Sequence, residues 1–189
     1  MYILDRLPRA STALFVDASS SVGIGGVCGL DYFLMRHTDL TQHIRQCPGW
    51  ESYPIVQITW FELLAVFVAL HLFGHNFPAH LMVLYSDNTN VVAWLGPRRS
   101  PNPTVCALVA AIERIKYQHL LKLSVRYIPS AQNNTADSLS RNRIPSLLKL
   151  HGTRIHPSIS SLVRLMHLDT LTQSWLTGIS MTQPTLNHP

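Results

Sequence analysis

Ala13-Leu14-Phe15-Val16-Asp17 is a short apolar run that ends on a carboxylate, and a second run, Leu81-Met82-Val83-Leu84-Tyr85, leads into Ser86-Asp87. Runs this short, rich in aliphatic and aromatic residues, predict strands buried on both faces. Each strand then delivers an aspartate at its C-terminal edge, where ligands collect in open α/β sheets. Between them, residues 22–28 mix Val22, Ile24 and Val27 with Gly23, Gly25 and Gly26, which predicts a second strand turned back at Ser19-Ser20-Ser21. Residues 59–73 predict a helix, with Thr59 and Glu62 at capping-box spacing ahead of Leu63, Leu64, Phe67 and Leu70. Apart from Glu62 that helix has almost no polar face, so it is expected to be buried on several sides.

Outward from these elements the pattern thins. A third strand is expected around residues 32–35, followed by irregular structure through a polar loop at Pro48-Gly49. A short helix over residues 91–95 is stopped by Gly96-Pro97, a longer helix covers 104–119, a strand 123–128 and a short helix 134–141. This order predicts an α/β fold with a mixed central sheet of about five strands flanked by helices. Residues 1–141 read as one domain, and residues 142–189 as a linker or helical extension, with a helix at 158–167 and loose residues at 181–189.

Composition narrows the function. The 189 residues are 47% hydrophobic and only 13% charged, so each of the ten Asp and Glu residues needs a reason for its place. A net charge of +5 leans toward a polyanionic partner. Cys28, Cys47 and Cys106 are widely spaced, which suggests neither a disulfide framework nor a zinc knuckle and fits an intracellular, reducing compartment. The most apolar stretch, Ile58–Phe73, is shorter than the ~20 residues of a membrane span, and no signal peptide or membrane association is expected.

Asp17, Glu62, Asp87 and Asp137 are the candidate active-site set. Four acids gathered at one sheet edge repel one another unless a cation neutralises them. Oxygen donors without His or Cys select Mg²⁺ or Mn²⁺, and two such ions about 3.5–4 Å apart suit in-line phosphoryl displacement. Taken singly, Glu62 is equally a capping-box residue, Asp87 a helix cap, Asp17 a turn residue and Asp137 a surface acid. His71 and His75 stand four residues apart on one helix, but with no acid partner they make a poor zinc site. Gly23-Ile24-Gly25-Gly26 fails as a dinucleotide fingerprint because Cys28 takes the third glycine position.

Four blocks occur here in a recognisable order: Leu14-Phe15-Val16-Asp17-Ala18-Ser19; Ile58-Thr59-Trp60-Phe61-Glu62-Leu63-Leu64-Ala65; Tyr85-Ser86-Asp87-Asn88-Thr89; and Tyr127-Ile128-Pro129 through Asn133 to Ala136-Asp137-Ser138-Leu139-Ser140-Arg141. Over residues 14–141 the chain resembles the ribonuclease H domain of retroelement polyproteins, Ty3-like and more closely DIRS-like, whose last block reads H-I-P-G-x-x-N-x-x-A-D-x-L-S-R. The resemblance implies a ribonuclease H-like fold and cleavage of the RNA strand of RNA–DNA hybrids, beside a reverse transcriptase domain and without a small-molecule cofactor. It implies that Asp17 bridges two Mg²⁺ or Mn²⁺ ions, that Glu62 and Asp87 hold the first, and that Asp137 holds the second. Ser19, Asn88 and Asn133 become candidates for contacts to the hybrid. Arg98 and Arg99, which follow the helix after Asp87, are candidates for phosphate contacts.

Two positions depart from the family pattern. Tyr127 stands where a His is frequent, and Ser130 where a Gly follows the proline. Two other functions compete: a non-catalytic nucleic-acid-binding domain of the same fold, and an integrase-like strand transferase. The second needs a glutamate about 35 residues past the second aspartate, and that place is held by Lys122, with Glu113 the nearest acid. A proofreading exonuclease needs D-x-E on the first strand, where residue 19 is Ser.

Overall fold

The computed structural model describes residues 11–44, 58–77, 81–96, 100 and 102–158. Strands β1 (Ser11–Ala18), β2 (Gly23–Cys28) and β3 (Asp31–Arg36) form an antiparallel meander in which Asp17 stands opposite Gly25. On the other side of β1, β4 (Leu81–Ser86) and β5 (Lys122–Tyr127) add in parallel. A two-residue strand, β6 (Thr153–Arg154), pairs in parallel with β3 and completes a six-stranded mixed sheet in the order β5-β4-β1-β2-β3-β6. The sixth strand exceeds the expected number because two residues are too few to leave an alternating pattern in a sequence.

Among the described residues six helices accompany the sheet: α1 (His37–Ile44), α2 (Ile58–Phe73), α3 (Thr89–Trp94), α4 (Pro103–Gln118), α5 (Asn134–Ser140) and α6 (Ser146–His151). Side chains alternate across a strand, and the two faces are accordingly different. Leu14, Val16, Ile24, Phe33, Met82 and Leu84 belong to one core with α2 and α4, whereas Val27, Tyr32 and Leu34 pack with Leu139 of α5 and Leu148 of α6. On that second face Phe15 stacks on Tyr85, with ring centroids 4.9 Å apart.

Helix α2 is the spine of the first core. Thirteen of its sixteen residues are buried, so the near-absence of a polar face in the sequence reflects contact on several sides. With the 3-10 turn Gly74–Asn76 it becomes long and apolar enough to cross a membrane by length and composition, but here it packs against β1, β2 and α4. It begins at Ile58, which puts Thr59 inside the helix instead of at its cap.

Two segments differ from expectation. Helix α1 occupies part of the stretch expected to be irregular; among its described side chains Leu40 is buried, and one such position leaves no periodic signal. Packed structure also continues past Arg141, since Leu148 is 3% exposed and β6 extends the sheet. The loop at Pro48-Gly49 and the helix expected at 158–167 lie outside the described residues, apart from Ser158 itself.

Gly25 sets how closely α5 approaches the sheet. A Cβ there would lie 2.5 Å from Leu139 Cβ and 2.6 Å from the Ser140 backbone nitrogen, contacts that only a shift of α5 relieves. Gly25→Ala is expected to destabilise the protein by about 1–3 kcal/mol, the usual range for overpacking. Chemical denaturation measures it, and an unchanged midpoint would show that α5 is not seated this tightly.

Candidate active site

Because β1 and β4 run parallel with Phe15 level with Tyr85, the two chains leave the sheet at the same end. Asp17 lies in the last turn of the β1 pleat, and Asp87 is the first residue after β4. Glu62 arrives from the first turns of α2. One carboxylate oxygen from each of the three lies within 4.8 Å of the other two. Asp17 and Glu62 are 5% and 4% exposed, and Asp87 is half-buried.

Crowding and burial show in the proton affinities. Burial, followed by the charges of Asp17 and Asp87, pushes the Glu62 carboxyl up to about 9, against a smaller opposing hydrogen bond from the Ala18 backbone. Burial also lifts Asp17 to about 6; the Ser140 hydroxyl works against this, and the charges of Asp87 and Asp137 work with it. At neutral pH, without a cation, Glu62 is therefore held as the neutral acid.

Hydroxyl groups fix the aspartates. Ser140 Oγ lies 2.6 Å from Asp17 Oδ2 and 2.8 Å from the Asp137 carbonyl oxygen. A hydroxyl has one proton, and ionised Asp17 is the stronger acceptor for it. Ser130 Oγ donates to Asp87 Oδ2 at 2.5 Å. Neither serine was selected from the sequence. Ser130 did stand out as a departure from the family pattern, which was the available signal.

Asp137 sits apart from the group of three. It faces the same region, since its charge raises Asp17, but its Oδ1 accepts from Arg141 Nε at 2.8 Å along one turn of α5. Ser19 and Asn133 are each 2% exposed. Ser19 Oγ accepts from the Ser21 and Val22 amides and shapes the β1–β2 turn, and Asn133 Nδ2 donates to the Val16 carbonyl at 2.9 Å. Both are tied by these bonds to the backbone of the site. Asn88 caps α3 with its side-chain oxygen, while Arg98 and Arg99 lie outside the described residues. His71 and His75 approach His119 at the far ends of α2 and α4, but among the described residues the group able to hold a metal is the acidic one.

No protein-family model and no curated protein matches the chain. Solved structures do. LC11-RNase H1, isolated from compost by a metagenomic approach, aligns at 20% identity and a TM-score of 0.50, over 73% of this chain and 98% of its own. The same enzyme in complex with an RNA/DNA hybrid aligns at 19% identity and 0.50, over 72% and 99%. The N-terminal ribonuclease H domain of a Mycobacterium tuberculosis protein aligns at 13% identity and 0.50, over 72% of this chain and 100% of that domain. The chain has the ribonuclease H fold.

Within the ribonuclease H fold of this chain, the acidic group fits a divalent cation on its own chemistry. Three hard oxygen donors converge without His or Cys, and Glu62 Oε2 is buried with no hydrogen-bond partner. A buried acceptor left open in this way is costly unless something fills it.

The raised carboxyls set a pH dependence for the metal-free protein. Between about 4.5, the ordinary glutamate value, and about 9, the folded protein keeps a proton on Glu62 that the unfolded chain has lost. Stability must then fall as pH rises through that window. In EDTA the melting temperature is expected to decline across it, and Glu62→Gln to flatten the decline. An equally steep profile in the variant would show that Glu62 is not its source.

Proposed function

We propose that this chain is a metal-dependent endoribonuclease that cleaves the RNA strand of RNA–DNA hybrids in the service of retroelement reverse transcription, beside a reverse transcriptase domain. The observation that carries the reading is the convergence of Asp17, Glu62 and Asp87 at one end of a ribonuclease H sheet. The fold likeness to an enzyme solved with an RNA/DNA hybrid supports the choice of substrate.

In this reading Asp17, Glu62 and Asp87 hold Mg²⁺ or Mn²⁺, and Asp137 completes the set for a second ion. Ions bound there supply activation of a water and neutralisation of the leaving oxygen in an in-line phosphodiester displacement. The chain's own residues do the rest. Glu62 would hold a cation in its ionised form, its proton passing to solvent, because burial and its acidic neighbours favour that proton only while positive charge is missing. Ser140 and Ser130 keep one oxygen of Asp17 and of Asp87 engaged, which orients the remaining oxygens. Asn88, at the mouth of the site, and Arg98 and Arg99 beyond α3 contact the sugar-phosphate backbone.

The competing readings find less support. An integrase-like site needs a third acid from α4, and there Glu113 is exposed and paired with Lys116 on the same helix. A binding-only descendant of the fold has no use for a crowded, desolvated carboxylate group, whose assembly opposes folding unless a cation is bound.

Labelled RNA–DNA hybrid, double-stranded RNA and double-stranded DNA, each incubated with Mg²⁺, test the proposal. Cleavage is expected in the hybrid's RNA strand alone. Asp17→Asn should lower the rate more than about a hundredfold, beyond the upper end of what loss of an outer hydrogen-bond partner costs, while hybrid binding survives. Cleavage of all three substrates, or none by the wild type, rejects the assignment.

A further inference from the structure

Residues 128–133 form a strap across the end of the sheet. At its start the Ile128 amide donates to the Ser86 carbonyl, prolonging the pairing of β4 with β5; at its end Asn133 Nδ2 donates to the Val16 carbonyl of β1. The strap is thus tied to the two strands that deliver Asp87 and Asp17. Between its anchors Pro129 is extended, and Ser130–Gln132 makes a single 3-10 turn. That turn carries the Ser130 hydroxyl to 2.5 Å from Asp87 Oδ2, joining residues 43 positions apart.

A distance of 2.5 Å belongs to the short, charge-assisted class of O–H···O⁻ hydrogen bonds. It also separates the two oxygens of Asp87 by role. Oδ2 is engaged by the strap, so the carboxylate cannot rotate freely about its last bond. Asp87 needs such a restraint more than its neighbours do: Asp17 and Glu62 are held by burial, whereas Asp87 is half-buried at the start of a loop. The Asn88 side chain is turned toward α3, its oxygen accepting from the Asn90 and Val91 amides. Ser130 itself is exposed, so packing gives no reason for its hydroxyl to be there. The position is also one where this chain departs from the glycine of the pattern it resembles, and a glycine cannot make the bond.

We infer that Ser130 is a positioning residue of this chain: its hydroxyl fixes the rotamer of Asp87 and so sets how well the acidic group takes up a divalent cation. The inference rests on the proposed metal-dependent reading of the site. The strap couples it to the fold, because the anchors on β4 and β1 determine where the hydroxyl stands.

The test compares wild type with Ser130→Ala, Ser130→Thr and Asp87→Asn, each shown to be folded by its melting temperature in EDTA. Mn²⁺ affinity is read directly by titration calorimetry, without substrate, and hybrid cleavage is separated into kcat and KM. Ser130→Ala is expected to weaken Mn²⁺ binding about tenfold, the lower end for loss of an outer hydrogen-bond partner, and to lower kcat at saturating Mn²⁺ with little change in KM. Ser130→Thr, which keeps the hydroxyl, should recover most of the loss. Wild-type Mn²⁺ affinity in Ser130→Ala, with affinity lost in Asp87→Asn, overturns the role of Ser130 and leaves the metal site standing. Undiminished affinity in Asp87→Asn overturns the metal reading, and the inference with it.

Discussion

Three carboxylates are pressed together at one end of the sheet, two of them out of water, and the arrangement opposes folding by itself. Desolvation is the larger part of that opposition for Asp17 and for Glu62, with mutual repulsion second. The protein answers it in two ways. Without a cation, Glu62 stays protonated, which removes one charge and leaves Glu62 Oε2 open in the interior. With a cation, the same closeness becomes favourable, because the ion neutralises in one place what would otherwise repel in three. A proton and a bound cation would therefore be alternatives at Glu62.

Holding the acids in place takes most of the architecture. Parallel pairing of β1 with β4 brings Asp17 and Asp87 out at one end, and the burial of α2 forces Glu62 to come with its helix. A helix with thirteen of sixteen residues buried cannot rotate Glu62 away without exposing its apolar sides. From the opposite face, α5 is drawn close by the bare backbone of Gly25, opposite Asp17 on β2, and brings Ser140 to Asp17. The glycine that fails as part of a nucleotide-binding motif is thus explained by packing against α5.

Much of this was legible in the sequence wherever a single stretch of chain carried both a periodic pattern and its exception. β1, α2 and β4 each pair an apolar run with one acid, and the acid's cost in such surroundings is what marked it. What escaped detection depends on contacts between distant stretches. Among the described side chains Leu40 is the buried apolar residue of α1 and Leu148 that of α6, and β6 is two residues long, so none leaves a repeat to read. Ser19 and Asn133 were expected to meet a ligand because both are polar residues beside the acids. Their burial comes from the fold and leaves no mark in the local sequence. Ser140 is the converse, a small hydroxyl with no sequence signature, and Ser130 was marked only by its departure from the family pattern; the role of each comes from where the fold puts it.

Asp137 shows how the fourth acid can differ from the other three without contradicting the reading. Its partner, Arg141, lies one helical turn along α5, and both side chains are substantially exposed. Exposed pairs of this kind contribute about 0–1 kcal/mol, far less than a divalent ion gains from a carboxylate beside three others. The guanidinium thus acts as a tethered monovalent cation that partly balances Asp137. It also lowers the proton affinity of Asp17, opposing the rise that Asp137 itself causes. Asp17 and Glu62 are set apart by desolvation, and the outer acid by an ion pair that stands in water.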